Sequence, residues 1–231
     1  MKPVHVTSLW RYPVKSMGGE RVAALTLEGD GVVGDREWGV RDVDAGVVLT
    51  AKGCPPLLQA CASFGDGRVM VVLPDGRSGR AGSAALDDAL SDWLGRRIAL
   101  EPARPGVAAG YDAGFTGPPG RFVDGWPVHL VTTATLAGDD ARRYRPNVVV
   151  AAEGKPFLED GWVDRTVALG AAQLDVRKGC TRCVMVTRPQ PGLPEDRSRL
   201  RRLGRREGKL GVYLRVATPG RLREGDEVRV S

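Results

Sequence analysis

Gln173-Leu174-Asp175-Val176-Arg177-Lys178-Gly179-Cys180-Thr181-Arg182-Cys183-Val184-Met185-Val186-Thr187 is the stretch whose reading decides the fold. From Gln173 to Lys178 apolar and polar residues alternate with period two, the pattern of a half-buried strand. Val184 to Thr187 reads as a second short strand, closed by the turn signal Pro189-Gln190-Pro191-Gly192. Cys180 and Cys183 are therefore expected on a corner between two strands, with Lys178, Arg182 and Arg188 nearby to favour a thiolate. A thiolate on a rigid corner can hold a soft metal or attack an electrophile.

A cysteine in an apolar strand can equally be an inert small hydrophobe, and this is the expectation for Cys54 and Cys61. A structural zinc site would need a second pair of closely spaced ligands. Only Cys54, Cys61 and the isolated His5 and His129 are on offer, which argues against zinc. A thioredoxin-like pair belongs at a helix N-terminus, whereas β-branched Val184 and Val186 disfavour a helix after Cys183. Cys-His catalysis through His5 or His129 lacks any local signature. One thiolate on a metal whose other ligands come from a cofactor fits the spacing best.

Outward from this corner the chain is strand-rich. Val4–Trp10, Val22–Leu27, Glu37–Val43, Val47–Thr50 and Arg68–Leu73 read as strands separated by turns such as Asp44-Ala45-Gly46. The clearest helix is Ala84–Leu94, with Ser83 to cap its start and Gly95 to end it. A Gly/Pro-rich stretch, Pro102–Gly120, reads as a linker or mobile loop. Beyond it come a strand (Pro127–Thr132), a helix around Thr133–Tyr144 and a strand (Val148–Val150). Val212–Ala217 and Glu227–Val230 would close the sheet. Many short strands and few long helices predict one or two barrels or sandwiches, not a doubly wound sheet.

The 231 residues, 42% hydrophobic and 27% charged, have ordinary globular usage. No apolar run is long enough to span a bilayer, and Met1–Val6 shows no signal-peptide pattern, so no membrane role and a cytoplasmic location are expected. The net charge of +6 permits nucleic-acid binding. Its basic residues, however, cluster in one loop from Arg197 to Arg206, without aromatics for stacking bases and without a DNA- or RNA-binding motif. No nucleic acid is expected. The loop is either solvated or faces an anionic partner. Other cations stand at turns: Tyr12-Pro13-Val14-Lys15-Ser16, Gly34-Asp35-Arg36 and Tyr144-Arg145-Pro146-Asn147. Lys, Arg, Ser and backbone N–H groups at turns form an inventory for gripping phosphate, though each taken alone reads as solvated surface.

Taken together and in this order, Tyr12-Pro13-Val14-Lys15-Ser16, Gly34-Asp35-Arg36, Asp124-Gly125-Trp126-Pro127, Arg145-Pro146-Asn147 and Thr181-Arg182-Cys183 resemble the MOSC-domain proteins. The chain is most similar to the branch with an N-terminal MOSC β-barrel, which includes the mitochondrial amidoxime-reducing component and its bacterial relatives. Leu210-Gly211-Val212-Tyr213, Pro219-Gly220 and Gly225-Asp226 match the closing strands. The resemblance implies a mixed α/β, β-rich fold: an N-terminal MOSC β-barrel-like domain over 1–101, a Gly/Pro-rich linker over 102–120, and a MOSC β-barrel domain with a few helices over 121–231.

It also implies a molybdenum cofactor, a Mo-pyranopterin dithiolene. Cys183 would be the metal's protein ligand, with Cys180 its non-ligating neighbour. Lys15, Ser16, Arg36 and Arg145 would hold the pterin phosphate, and Asn147, Thr181 and Arg182 would line the cofactor. Asp124 matches an acidic position that orients a water, relays a proton or caps a turn. Trp126 and the run Val184–Pro189 depart from the family pattern, so the substrate rim is expected to differ. The implied activity is two-electron reduction of small N-hydroxylated compounds. Neither an iron–sulfur set of thiols nor a dinucleotide fingerprint is present, so electrons are expected from an external acidic ferredoxin- or flavodoxin-like carrier. Two alternatives are a sulfur carrier with a Cys183 persulfide and a cofactor carrier without turnover.

Overall fold

Valine and leucine at alternate positions build the main sheet of the protein, seen in a computed structural model that describes residues 4–231. Strand Ala172–Thr181 buries Leu174, Val176 and Cys180 and pairs antiparallel with Lys209–Thr218 along most of its length. The eight strands run in the order Val228–Val230, Thr166–Leu169, Ala172–Thr181, Lys209–Thr218, Val128–Thr132, Val148–Ala151, His5–Arg11 and Glu20–Val22. Three three-stranded sheets accompany it. The fold is β-rich with few helices, as expected.

The main sheet curls until the edge strand Val228–Val230 reaches the start of strand His5–Arg11. Val6 N–H donates to Asp226 O at 2.9 Å, Val228 N–H donates to Val4 O at 2.8 Å, and His5 bridges Glu227. No continuous ladder completes that seam, so the barrel expected here is a curled sheet stitched at one point.

Of five apolar clusters among the described residues two are large, and the first draws on both ends of the chain. Val6, Leu9, Leu25, Leu27 and Val32 pack with Leu130, Val148, Leu174 and Leu214 from the other end of the chain. A second core joins Val14, Val40, Leu57, Val71 and Leu100 with Leu86 and Leu90 of helix Ala84–Leu94. That helix has its expected ends. Ser83 Oγ accepts from Leu86 N–H, and Gly95 takes the left-handed φ of 65°. Within Pro102–Gly120, Tyr111 is buried and bridges Val48.

Several local expectations change. Val184–Thr187 is a 3-10 turn, not a strand: Val186 N–H donates to Cys183 O at 3.3 Å and Arg188 N–H to Met185 O at 3.1 Å, and Met185, Val186 and Thr187 are all buried. The helix expected over Thr133–Tyr144 is only Thr133–Leu136, because Ala137 and Gly138 adopt positive φ. A separate 3-10 turn, Ala141–Arg143, follows, with Asp140 accepting from Arg142 N–H. The arginine-rich loop is largely helical, with helix Ser198–Leu203 anchored by buried Leu203. Strands Cys61–Gly65, Ile98–Pro102, Thr166–Leu169 and Gly220–Arg223 carry too few alternating apolar residues to have been read. Cys61, expected buried, is exposed. No described helix is long and apolar enough to cross a membrane.

Gly211 has φ of 72°, and a Cβ there would stand 2.5 Å from both His129 Nε2 and Leu130 O. Gly225 has φ of 90° with open space around it. Gly211→Ala should lower the unfolding free energy by about 3 kcal/mol or more, and Gly225→Ala by about 1 kcal/mol, in urea titrations. Equal losses would show that the contact with His129 is not tight.

Candidate functional site

Ser16, Arg36 and Arg145 share an uncommon backbone state, with φ of 67°, 51° and 52°. Side chains larger than glycine take this state at a cost of roughly 1–3 kcal/mol, so the surroundings must impose it. They do so through interlocked turns. Arg36 N–H donates to Tyr12 O at 2.7 Å, and Lys15 N–H donates to Trp38 O at 2.9 Å. Asp35 Oδ1 accepts from Tyr12 N–H at 2.7 Å, while Oδ2 accepts from the Arg36 guanidinium. Arg36 Nη2 then donates to Arg145 O at 3.1 Å, and Arg36 Nη1 to Asn147 Oδ1 at 3.3 Å. The Tyr12 ring lies under both guanidinium groups, 4.2 Å from Arg145 Cζ and 5.1 Å from Arg36 Cζ.

These turns converge on one cavity, lined by Lys15, Ser16, Arg36, Asp124, Arg145, Asn147 and Arg182 together with Trp126, His129 and Tyr213. Residues 130 positions apart in sequence thus meet because strand His5–Arg11 lies beside Val148–Ala151. Thr181 and Cys183 do not line the cavity. Both are exposed, Thr181 at the end of its strand and Cys183 on the extended residue that opens the 3-10 turn. Cys180 is buried, and Arg182 Nη1 donates to its Sγ at 2.8 Å. A larger cleft beside Trp38, Phe64 and Pro102 contains none of the site residues expected from sequence.

Four cationic side chains face the carboxylates of Asp35 and Asp124, so the cavity carries excess positive charge. Lys15 Nζ donates to Asp124 Oδ1 at 2.5 Å and to Phe122 O at 3.3 Å, and sits 4.3 Å from the Tyr111 ring centre. Burial lowers the Lys15 pKa, with Asp124 opposing the shift. For Asp124, partial desolvation at the cavity mouth acts upward, but Lys15, Arg36 and Arg182 outweigh it and hold the carboxyl below its ordinary range. Burial, reinforced by Arg36, pushes Arg145 down to about 10. On Arg36 burial acts downward, and the neighbouring Asp35 reverses it. Two nitrogens in this cluster, Arg145 Nη2 and Arg182 Nε, are buried without any hydrogen-bond partner. Buried guanidinium N–H groups call for an acceptor, and an anion is the acceptor that also offsets the charge.

His129 and Tyr213 were not read as site residues, since each stands in an apolar strand where a buried ring needs no further explanation. His129 is 3% exposed, and burial with the adjacent Arg182 charge lowers its pKa to about 3.

The family model of the MOSC domain matches residues 128–229, and that of the MOSC N-terminal beta barrel domain matches residues 4–97. The chain is 24% identical over 237 aligned positions to a molybdenum cofactor sulfurase of Oryza sativa subsp. japonica. That match takes in 79% of this chain and 28% of the rice protein, so the chain spans little more than a quarter of that relative's length. Among solved structures it is similar to the YuaD protein of Bacillus subtilis, with 15% identity, a TM-score of 0.49 and coverage of 98% and 94% of the two chains. It is also similar to YiiM from Geobacillus stearothermophilus, with 16% identity, a TM-score of 0.35 and 67% coverage of each chain.

Exposure predicts the thiol chemistry. Cys61 and Cys183 should react with a maleimide in native protein, while Cys54 and Cys180 should react only after denaturation. Mass spectrometry of Cys183→Ser should show one native label fewer, and Cys180→Ser none fewer. Rapid native labelling of Cys180 would contradict its burial.

A second expectation concerns pH. Between pH 6.5 and about 3 the unfolded chain protonates His129 while the folded chain does not, so this residue removes stability as pH falls through that window. The stability of His129→Gln relative to wild type should therefore rise from pH 7 to pH 4.5 in urea titrations. Parallel profiles would mean that the imidazole titrates alike in both states.

Proposed function

The chain belongs to the MOSC-domain proteins with an N-terminal MOSC β-barrel domain, and on that premise we propose that its basic cavity holds a molybdenum cofactor used to reduce small N-hydroxylated compounds. The observation that carries this reading is the pair of buried, partnerless guanidinium nitrogens on Arg145 and Arg182, set in a cavity of excess positive charge. The rice relative, named a molybdenum cofactor sulfurase, supports the choice of anion. Among the described residues no three His, Cys, Asp or Glu side chains gather as a metal site. Cys183, exposed outside the cavity lining, would serve as a lone thiolate ligand whose metal brings its own remaining ligands.

When bound, the cofactor supplies the two-electron redox centre. The protein's residues bind and orient. Arg145 and Lys15 provide charge for the phosphate. Ser16 Oγ accepts from Ala51 N–H at 2.9 Å, which leaves its O–H free to donate. Arg36 is already committed to Asp35, Asn147 and Arg145 O, so it adds charge and fixes the Arg145 turn. Asn147 and Arg182 would border the pterin, whereas Thr181, expected to do so, stands outside the cavity lining. The Asp124 side chain is 60% exposed at the mouth while bound to Lys15 Nζ, a placement suited to passing a proton between solvent and the site.

Electrons would come from an acidic carrier protein docking near Arg197–Arg206. Arg197 pairs with Glu195, Arg199 with Asp139 and Asp196, Arg202 with Asp196 at 3.5 Å, and Arg206 with Asp160. Docking therefore rests on Arg201 and Arg205, which form no ion pair among the described residues. The exposure of Cys183 favours a second reading, a sulfur carrier with a Cys183 persulfide.

Protein made in a host that synthesises the cofactor decides between them. Wild type should contain molybdenum and fluorescent pterin and should reduce a hydroxylamine with a chemical reductant. A charge-assisted bond contributes about 1.5–3 kcal/mol, so Arg145→Ala should fold yet retain about tenfold less cofactor. Cys183→Ser should abolish turnover, and Cys180→Ser should keep most of it. Full occupancy in Arg145→Ala removes that residue from the site. A metal-free wild type bearing a persulfide supports sulfur transfer.

A further inference from the structure

A cleft of about 490 Å³ opens beside the turn that begins at Cys183, apart from the basic cavity. One wall is the 3-10 turn itself, with Val184 and Thr187, followed by Arg188. The other is helix Ser198–Leu203, with Leu200 and Arg201, and the segment before it, with Glu195 and Arg197. Asp196 N–H donates to Thr187 O at 2.9 Å and ties the two walls together. Leu200 packs against the apolar cluster that holds Val186 and Leu203. The charges along this cleft do not balance. Its one carboxylate, Glu195, accepts from Arg197 Nε at 2.7 Å. Asp196 nearby is committed to Ser198, Arg199 and Arg202. Arg188 and Arg201 remain, and neither forms an ion pair among the described residues. Arg188 Nε is in addition buried without a hydrogen-bond partner. A buried guanidinium N–H calls for an acceptor, and a carboxylate is the organic group whose two oxygens match the guanidinium fork. Val184 and Leu200 add apolar surface, so the cleft suits an organic acid with an apolar body better than a bare inorganic ion.

We propose that this cleft is a carboxylate subsite, and that the N-hydroxylated substrates of the protein are acids whose carboxylate sits between Arg188 and Arg201. This rests on the reduction proposed above and narrows its substrate class. Val184, next in the chain to Cys183, lies along the cleft, so the anion and the N–O group belong at opposite ends of the substrate. A neutral analogue of the same shape would leave Arg188 Nε unmet, and an unmet buried donor discriminates more strongly than a lost apolar contact.

The test compares benzamidoxime with 4-carboxybenzamidoxime, which adds only the carboxylate. Reducing either to its amidine takes two electrons from a chemical reductant and two protons from solvent, and releases the oxygen as water. With cofactor-loaded protein and no carrier protein present, wild type should favour the acid about tenfold in kcat/KM, through a lower KM. Arg188→Gln and Arg201→Gln should each erase most of that preference. A second arm needs neither cofactor nor variant. Calorimetry on cofactor-free wild type should show the acid binding about tenfold more tightly than the neutral compound, with added salt narrowing the gap. In proton–nitrogen spectra of the same protein the acid should shift the amide signals of Thr187 and Leu200. Equal binding of the two compounds would overturn the proposal, as would a preference for the acid that survives in both arginine variants. Failure of the reduction reading shows separately: tighter binding of the acid with turnover of neither compound would keep the carboxylate subsite and overturn that reading instead.

Discussion

Asp35 is the constraint on which the site depends. Its carboxylate is 1% exposed, and it joins the backbone N–H of Tyr12 to the guanidinium of Arg36. The first contact fixes the corner that carries Lys15 and Ser16. The second aims Arg36 across to Asn147 and the Arg145 carbonyl. One buried charge therefore sets the relative position of three turns separated by most of the chain. A carboxylate held this way is costly to strip of either partner, since the remaining charge would stay buried and unmet. The cluster it organises keeps four cations close together, a like-charge arrangement that a folded protein sustains where an anionic ligand offsets it.

Much of the fold was legible because apolar periodicity and cap residues act locally. Ala84–Leu94 has the ends that Ser83 and Gly95 announce. The alternation from Gln173 to Lys178 lies within strand Ala172–Thr181. Where tertiary burial competes with local preference, the local reading fails. Val184 and Val186 favour an extended chain, yet the segment is a 3-10 turn that seats Met185, Val186 and Thr187 in the interior. The 198–203 helix was hidden because its arginines mask the two leucines that seat it, Leu200 and Leu203.

The candidate site was legible through its turns. Gly34-Asp35-Arg36 and Tyr144-Arg145-Pro146-Asn147 stand out in sequence as cations at chain reversals, and the structure places them on one cavity. His129 was not legible in this way. Its strand, Val128–Thr132, is buried at every position, so nothing in the pattern separates a packed imidazole from one that lines the cavity.

Strand His5–Arg11 lies between Val148–Ala151 and Glu20–Val22, and its start is stitched to the segment Asp226–Val228. This has a consequence for synthesis. The earliest residues of the larger core lack their partners until residues 226–228 have been made. The smaller core, built from Val14 to Leu100, is fully translated long before. Long-range pairing of this kind slows folding and leaves an apolar strand uncovered meanwhile. On the ribosome the second core can therefore condense first and hold the Lys15 corner in shape, while the Arg145 and Arg182 side of the cavity joins it later.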